Sequence, residues 1–309
     1  MKVLILGSKG QLGHCLFDQF SSSEYEPIYL SREEIDITNL DATKLKIADI
    51  NPSVVINSSA YTNVDKAEDK KQEADLVNHL AVANIANTCK ELECWLIHIS
   101  TDYVFDGAAS KPYQENDITN PQSIYGVSKL NGEHAVQSSG CKYLIVRTGW
   151  LFSEYGNNFL KTMLKLGSRH NELSLVGDQI GCPTYAQDLA KAVVQMLNYL
   201  GDESIVGLYH FSGSKQCSWF EFGNEIFSRA RELGFSSPDI IHEITTEDYP
   251  TPAKRPAYSV LDNHKSLKVF GIMPSNWSSG ISEALAYLCE DNPSDLIINK
   301  TQVKLNKTD

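Results

Sequence analysis

The chain has 309 residues, a hydrophobic fraction of 42%, a charged fraction of 21% and a net charge of −12. This length allows a large core and a second lobe, and the acidic balance gives no support for nucleic-acid binding. No apolar run approaches the roughly 18 residues needed to cross a bilayer, so a cytoplasmic protein without membrane contact is expected.

The first apolar run is a candidate strand, Lys2–Leu6, and it leads straight into Gly7-Ser8-Lys9-Gly10-Gln11-Leu12-Gly13. A strand that turns sharply into a helix favours residues without a Cβ. The backbone N–H groups and the positive helix end then face a pyrophosphate. Three glycines alone are a weak signal. Their place between a strand and a helix predicts a dinucleotide loop with Gly7, Gly10, Gln11, Leu12 and Gly13 at the cofactor.

A second strand, Pro27–Leu30, ends at Ser31-Arg32-Glu33. The acid that usually contacts the adenosine ribose of NAD is missing from its tip. Lys9 and Arg32 are placed to reach a 2′-phosphate, which favours NADPH over NADH, although each is equally a solvated basic residue. Asp36 and Ile37 follow, as a hydrogen-bonding and an apolar partner for adenine.

Further candidate strands are Ser53–Asn57, Cys94–Ser100 and Lys142–Arg147, with amphipathic helices clearest at Glu73–Glu91 and Tyr125–Ser138. The strands are apolar almost throughout, as strands covered on both faces are. Strand alternating with helix predicts an α/β fold, a Rossmann-type doubly wound parallel sheet. Ser100-Thr101-Asp102 closes the fourth strand, where ligands of such sheets bind. The hydroxyls of Ser100 and Thr101 are expected to face the cofactor and a reacting carbonyl.

Tyr125 and Lys129 stand four residues apart at the start of a helix, an advance of about 400° that puts both on one face. A phenol with a pKa of about 10 is a poor acid–base group at neutral pH, and a neighbouring ammonium favours its phenolate. Such a pair can protonate a carbonyl oxygen as hydride reaches the carbon.

After Arg147 the rhythm changes. Helical patterns at Asn158–Leu166, Gln187–Leu200, Ser218–Leu233 and Ser279–Cys289 are separated by strand-like pieces at Leu173–Val176 and Leu208–Phe211. Ser218 with Glu221 reads as a capping box. The expected organisation is a dinucleotide-binding domain over residues 1–150, a smaller mixed α/β substrate-binding lobe over residues 151–290, and a polar tail over residues 291–309. The seven cysteines are scattered without a C-x-x-C pair and read as reduced, mostly buried thiols.

With these residues in order, the chain resembles the extended short-chain dehydrogenase/reductases and, within them, the dTDP-4-dehydrorhamnose reductase family. The likeness runs to about Glu290. It is carried by Gly7 to Gly13, Ala60 to Glu68, Ser100 to Gly107, Asp178 to Thr184, and Arg255-Pro256. The resemblance implies NAD(P)H-dependent reduction of the C4 ketone of dTDP-4-dehydro-6-deoxy-L-mannose to dTDP-L-rhamnose, for surface polysaccharide synthesis. It makes Tyr125 the proton donor and puts Lys129 on the nicotinamide ribose. Ala60, Tyr61, Thr62 and Ser100 then lie at the cofactor, Thr101 and Asp102 at the sugar, and Trp150 beside the substrate ring. In some members it also implies a homodimer and Mg2+. The chain departs from the family at Asn57-Ser58-Ser59, where alanines are common, and at Lys9, where a small residue is usual. Two other readings stay open: another sugar-nucleotide reductase or epimerase, and a non-catalytic regulatory subunit like the β subunit of methionine adenosyltransferase.

Overall fold

The structure, a computed structural model, describes residues 1–21 and 23–291; the tail beyond Asp291 lies outside the described residues. The first half alternates strands β1 (Lys2–Leu6), β2 (Glu26–Leu30), β3 (Val54–Asn57), β4 (Trp95–Thr101) and β5 (Lys142–Thr148) with helices. The helices are α1 (Gln11–Phe20), α2 (Leu40–Ile50), α3 (Val64–Asp69), α4 (Lys71–Asp75), α5 (Ala81–Glu91) and α6 (Ile124–Ser139). The five strands expected from apolar runs are all present, each end within one residue.

The second half holds short strands β6 (Leu151–Phe152), β7 (Glu172–Val176), β8 (Ile180–Gly181) and β9 (Thr184–Tyr185), with helices α7 (Phe159–Gly167) and α8 (Ala186–Met196). There follow β10 (Gly207–His210), β11 (Cys217–Ser218), α9 (Trp219–Glu232), β12 (Ile240–Ile244), α10 (His264–Phe270) and α11 (Trp277–Asp291). Ser218 and Glu221 form the expected capping box, each side chain taking the other's backbone N–H.

The central sheet has six strands in the order β10-β5-β4-β3-β1-β2, all parallel. From β1 the chain moves outward to β2 and then returns to the other side of β1 as β3. This switch point opens a crevice outside the carboxyl ends of β1 and β3. On one face, Leu12, Leu16 and Phe20 of α1 and Leu189 and Val193 of α8 cover Val3, Ile5 and Ile56. On the other, Ile47, Val82, Ile85 and Val136 cover Leu4, Val55 and Leu96. A separate core of Phe152, Leu160, Phe222, Ile226 and Ile281 holds the smaller lobe together.

Two stretches fall differently from their reading in sequence. Leu208–Phe211, taken as a piece of the smaller lobe, supplies the sixth strand of the central sheet, and the helix at 186–196 covers that sheet beside α1. A short apolar strand carries no mark of the sheet it joins. The single helix expected over Glu73–Glu91 is interrupted by a π-helical turn, Leu76–Leu80, between α4 and α5. All seven cysteines are free thiols and six are buried. Among the described residues no helix is long and apolar enough to cross a membrane.

Helix α6, expected to be amphipathic, buries an unusual face: Gly126, Ser128, Lys129, Gly132, Glu133 and Val136. The glycines let backbones meet. A Cβ on Gly126 would stand 2.3 Å from the Tyr103 carbonyl oxygen, and one on Gly132 2.2 Å from that of Asn78. Below them Glu133 takes a bidentate ion pair from Arg147 of β5, at 2.9 Å from Nε and 2.6 Å from Nη2, and a hydrogen bond from Ser100 of β4. Both partners are almost fully buried. Removing one side of such a pair leaves the other charge uncompensated, at a cost of about 3–5 kcal/mol. Arg147→Met is expected to lose that much in urea unfolding, and Glu133→Leu/Arg147→Met to regain most of it.

Candidate active site

The glycine loop forms the floor of the crevice. Gly7 is left-handed, at φ +84°, and its N–H and that of Ser8 both donate to the Leu30 carbonyl, tying the loop to β2. A Cβ on Gly7 would stand 2.9 Å from Ser59 after β3, and one on Gly13 2.4 Å from the Ser8 carbonyl oxygen. Helix α1 therefore starts against the strand end. Its N-cap, Gly10, offers no side chain to the first N–H groups, which leaves them and the helix dipole for an anion. These residues fit the pyrophosphate of a dinucleotide.

Other residues expected at the cofactor are placed as follows. Lys9 forms an exposed ion pair with Glu33, and Arg32 is exposed beside them. Asp36 turns inward on Thr38, accepting from its N–H and hydroxyl, and these bonds hold its carboxyl below the usual range. Ile37 is buried in the core with Leu4 and Leu6, as Leu12 is on the opposite face. Gln11 is drawn toward the smaller lobe, donating to the Leu151 carbonyl at 3.3 Å and accepting from Asn158 at 2.7 Å.

The segment Ala60–Glu68 is a junction, a role not readable from its composition. Asn78, inside the π-helical turn, accepts from Tyr61 N–H at 2.8 Å and donates to the Tyr61 carbonyl at 3.1 Å and to Ser128 Oγ at 3.0 Å. One fully buried amide thus joins the loop after β3 to the helix carrying Tyr125 and Lys129. An Asn inside a helical run is an ordinary surface residue in sequence; only the π turn turns it inward. Farther along, Glu68 accepts the first N–H of α6 at 2.8 Å, an anion at a helix N-terminus.

At the carboxyl end of β4, Thr101 accepts from Tyr103 N–H at 3.2 Å and donates to Asp102 Oδ1 at 3.0 Å. Its hydroxyl is also within hydrogen-bonding reach of the Tyr125 phenol. Burial pushes the Asp102 carboxyl up to about 6, against hydrogen bonds from Ser259 and Thr101. Lys129 is buried and donates to the Ile99 carbonyl at 2.6 Å. Loss of water lowers its ammonium to about 8, with Glu133 opposing.

The other member of the pair is Tyr125. Burial pushes the phenol well above its ordinary range, and Thr101 offsets this only partly. The neighbouring Asp102 and Tyr103 push in the same direction as burial. Tyr125 therefore keeps its proton at neutral pH.

The smaller lobe closes the site from the other side. Trp150 is left-handed at φ +50° and stacks on Trp219 with ring centroids 3.4 Å apart and planes at 4°. A Cβ on Gly181 would stand 2.4 Å from its indole. Trp219, braced by a hydrogen bond from its indole N–H to Gln179, was not among the expected site residues, since a lone Trp in a helix reads as core. Arg255 donates to Asp65 at 2.8 Å and to the Tyr103 hydroxyl at 3.0 Å, and Tyr103 lies edge-on to Tyr125 with centroids 5.7 Å apart. Among the described residues no group of three or more His, Cys, Asp or Glu is arranged to hold a metal ion.

Asn78→Leu removes the amide that couples loop and helix and leaves buried partners unpaired, at about 1–3 kcal/mol for each orphaned group. The variant is expected to unfold at lower urea and to bind dinucleotide more weakly by fluorescence titration. Unchanged binding with lowered stability would confine Asn78 to a structural role.

A family model described as the RmlD substrate binding domain matches residues 1–289. The dTDP-4-dehydrorhamnose reductase of Aggregatibacter actinomycetemcomitans is 41% identical over 290 residues, 93% of this chain and 99% of that protein. The solved structure of a dTDP-4-dehydrorhamnose reductase from Clostridium acetobutylicum superposes with a TM-score of 0.86 at 39% identity, covering 93% and 99% of the two chains. That of Bacillus anthracis, in complex with NADP, does so with a TM-score of 0.84 at 39% identity and the same coverage. The chain belongs to the dTDP-4-dehydrorhamnose reductase family.

Proposed function

We propose that this chain uses NADPH to reduce the C4 ketone of dTDP-4-dehydro-6-deoxy-L-mannose to dTDP-L-rhamnose, the activity for which its relatives are named. The observation that carries this reading is the cluster of Thr101, Tyr125 and Lys129 at the mouth of the crevice whose floor is the glycine loop. An intact acid beside an intact dinucleotide loop favours catalysis over a regulatory role.

A bound reduced nicotinamide supplies the hydride. Tyr125 gives its phenolic proton to the ketone oxygen, and the Thr101 hydroxyl turns its one proton from Asp102 to the same oxygen and orients it. Burial of the phenol suits this direction, since it keeps the acid protonated at neutral pH. Lys129, fixed by Ile99, has further N–H groups for the nicotinamide ribose. Trp150, wedged between Trp219 and Gly181, offers a rigid apolar surface to the sugar ring. For the cofactor's 2′-phosphate the reading rests on Lys9 and Arg32. The Lys9–Glu33 pair is exposed and such pairs are weak, so a phosphate can take Glu33's place.

The test is to mix the protein with the keto sugar and follow NADPH by its near-ultraviolet absorbance, with NADH alongside. Sugar-dependent oxidation yielding dTDP-rhamnose is expected, faster with NADPH. Tyr125→Phe should bind NADPH normally and turn over about 10²-fold more slowly. Tight NADPH binding without oxidation would overturn the reductase reading, and sugar conversion without net oxidation would make the chain an epimerase.

The Lys129 ammonium is a cation below about pH 8 and neutral above it. Its folded-state value lies below its ordinary one, so the cation is lost as pH rises through about 8. NADPH affinity, measured without sugar, is expected to weaken across that window. Affinity constant from pH 7 to pH 10 would remove Lys129 from the ribose.

A further inference from the structure

Helix α5 ends in a complete Schellman turn. Glu93, left-handed at φ +55°, donates its N–H to the Lys90 carbonyl at 3.2 Å, and Cys94 donates to the Cys89 carbonyl at 3.0 Å. This pair of bonds brings the side chains at the turn's first and sixth positions together, where an apolar contact is the usual result. Here both positions are cysteine. The two thiols lie within hydrogen-bonding reach of each other. Cys141, just past the left-handed Gly140 that ends α6, comes close to both.

A cavity of about 270 Å³ leads to this corner, lined by Cys89, Lys90, Cys94, Cys141, Lys142 and Glu203 among others. Lys142 is paired with Glu203 at 2.7 Å. Lys90 lies near enough to favour a thiolate at Cys141. The cavity brings small solutes up to the buried thiol pair, with the Lys90 cation at their neighbour Cys141. The corner sits at the start of β4, whereas Thr101 ends that strand.

We propose that Cys89 and Cys94 are an oxidisable dithiol, a modification site that hydrogen peroxide closes to a disulfide at the end of the sheet away from Tyr125. Cys94 is the attacking sulfur, because its hydrogen bond from Cys89 holds it below the ordinary thiol range, while Cys89 is pushed up. The Cys94 thiolate attacks one peroxide oxygen, breaking the O–O bond. The departing hydroxide takes up the thiol proton as water, leaving a sulfenic acid. The Cys89 sulfur then displaces the sulfenic oxygen, which leaves as a second water with the Cys89 proton. Two thiols and one peroxide give one disulfide and two waters. The backbone bonds of the turn already hold the two residues together, so the sulfurs need only local rotation.

The experiment treats the full-length protein with hydrogen peroxide, alkylates remaining thiols in denaturant with N-ethylmaleimide, and maps the digest by mass spectrometry. The expected result is a crosslink between the Cys89 and Cys94 peptides, lighter by two hydrogens and reversed by dithiothreitol. Cys15, Cys182 and Cys217, equally buried but not lining this cavity, should remain fully alkylated. Cys94→Ser should lose the crosslink and Cys141→Ser should keep it. Free Cys89 and Cys94 in a chain that keeps its circular dichroism would overturn the proposal. So would a predominant bond to Cys141, or oxidation of all seven cysteines together. The outcome does not depend on the identity of the sugar substrate.

Discussion

Arg147 and Glu133 face each other where water does not reach, one from the middle of the sheet and one from the helix that carries Tyr125 and Lys129. Most helices against this sheet are held by an apolar stripe; α6 is not, with Val136 the sole aliphatic among its buried residues. It is drawn down on glycine and anchored by charge. Burying two charges costs several kcal/mol each, and the pair is tolerated because the guanidinium meets the carboxylate with two bonds and Ser100 supplies a third. The Arg147 guanidinium also lies over the Phe105 ring, 5.0 Å from its centroid. A directional anchor sets the height and rotation of α6 more sharply than an apolar one, since hydrogen bonds fail within a fraction of an ångström where dispersion only weakens. The same Glu133 is one turn beyond Lys129 and is the one charge that opposes the lowering of its ammonium. One carboxylate thus anchors α6 and moderates the loss of charge at Lys129.

The proton inventory of the site follows from dryness. Tyr125 rises, Lys129 falls, and Asp102 rises to about 6. Each shift disfavours the charged form, as desolvation does. At neutral pH this leaves Tyr125 protonated and Lys129 still a cation, two donors held in place before charge develops on a substrate oxygen.

Some connections between the lobes run beside the site. Gln11 of the dinucleotide loop is bonded to Leu151 and Asn158, and Arg255 is bonded to Asp65 and Tyr103. Trp150 belongs to the same set: a non-glycine residue at positive φ is costly, and here stacking on Trp219 and the missing Cβ of Gly181 hold it there.

Much of this protein was legible in its sequence because the signals are local. Apolar runs mark buried parallel strands, Gly7, Gly10 and Gly13 mark a tight strand-to-helix turn, and the Tyr125–Lys129 spacing follows from 3.6 residues per turn. The resemblance added the later segments, Asp178–Thr184 and Arg255-Pro256, without saying what they touch. Other features depend on what meets at a distance. Leu208–Phe211 joins the central sheet because β5 presents a free edge, which no property of those four residues records. Asn78 matters because a π turn rotates it toward Tyr61 and Ser128, and Tyr125 stays protonated because the surrounding elements exclude water. Spacing along the chain determined which side chains could share a face; burial and register, set only when the layers closed, decided which of them carry charge and which pair.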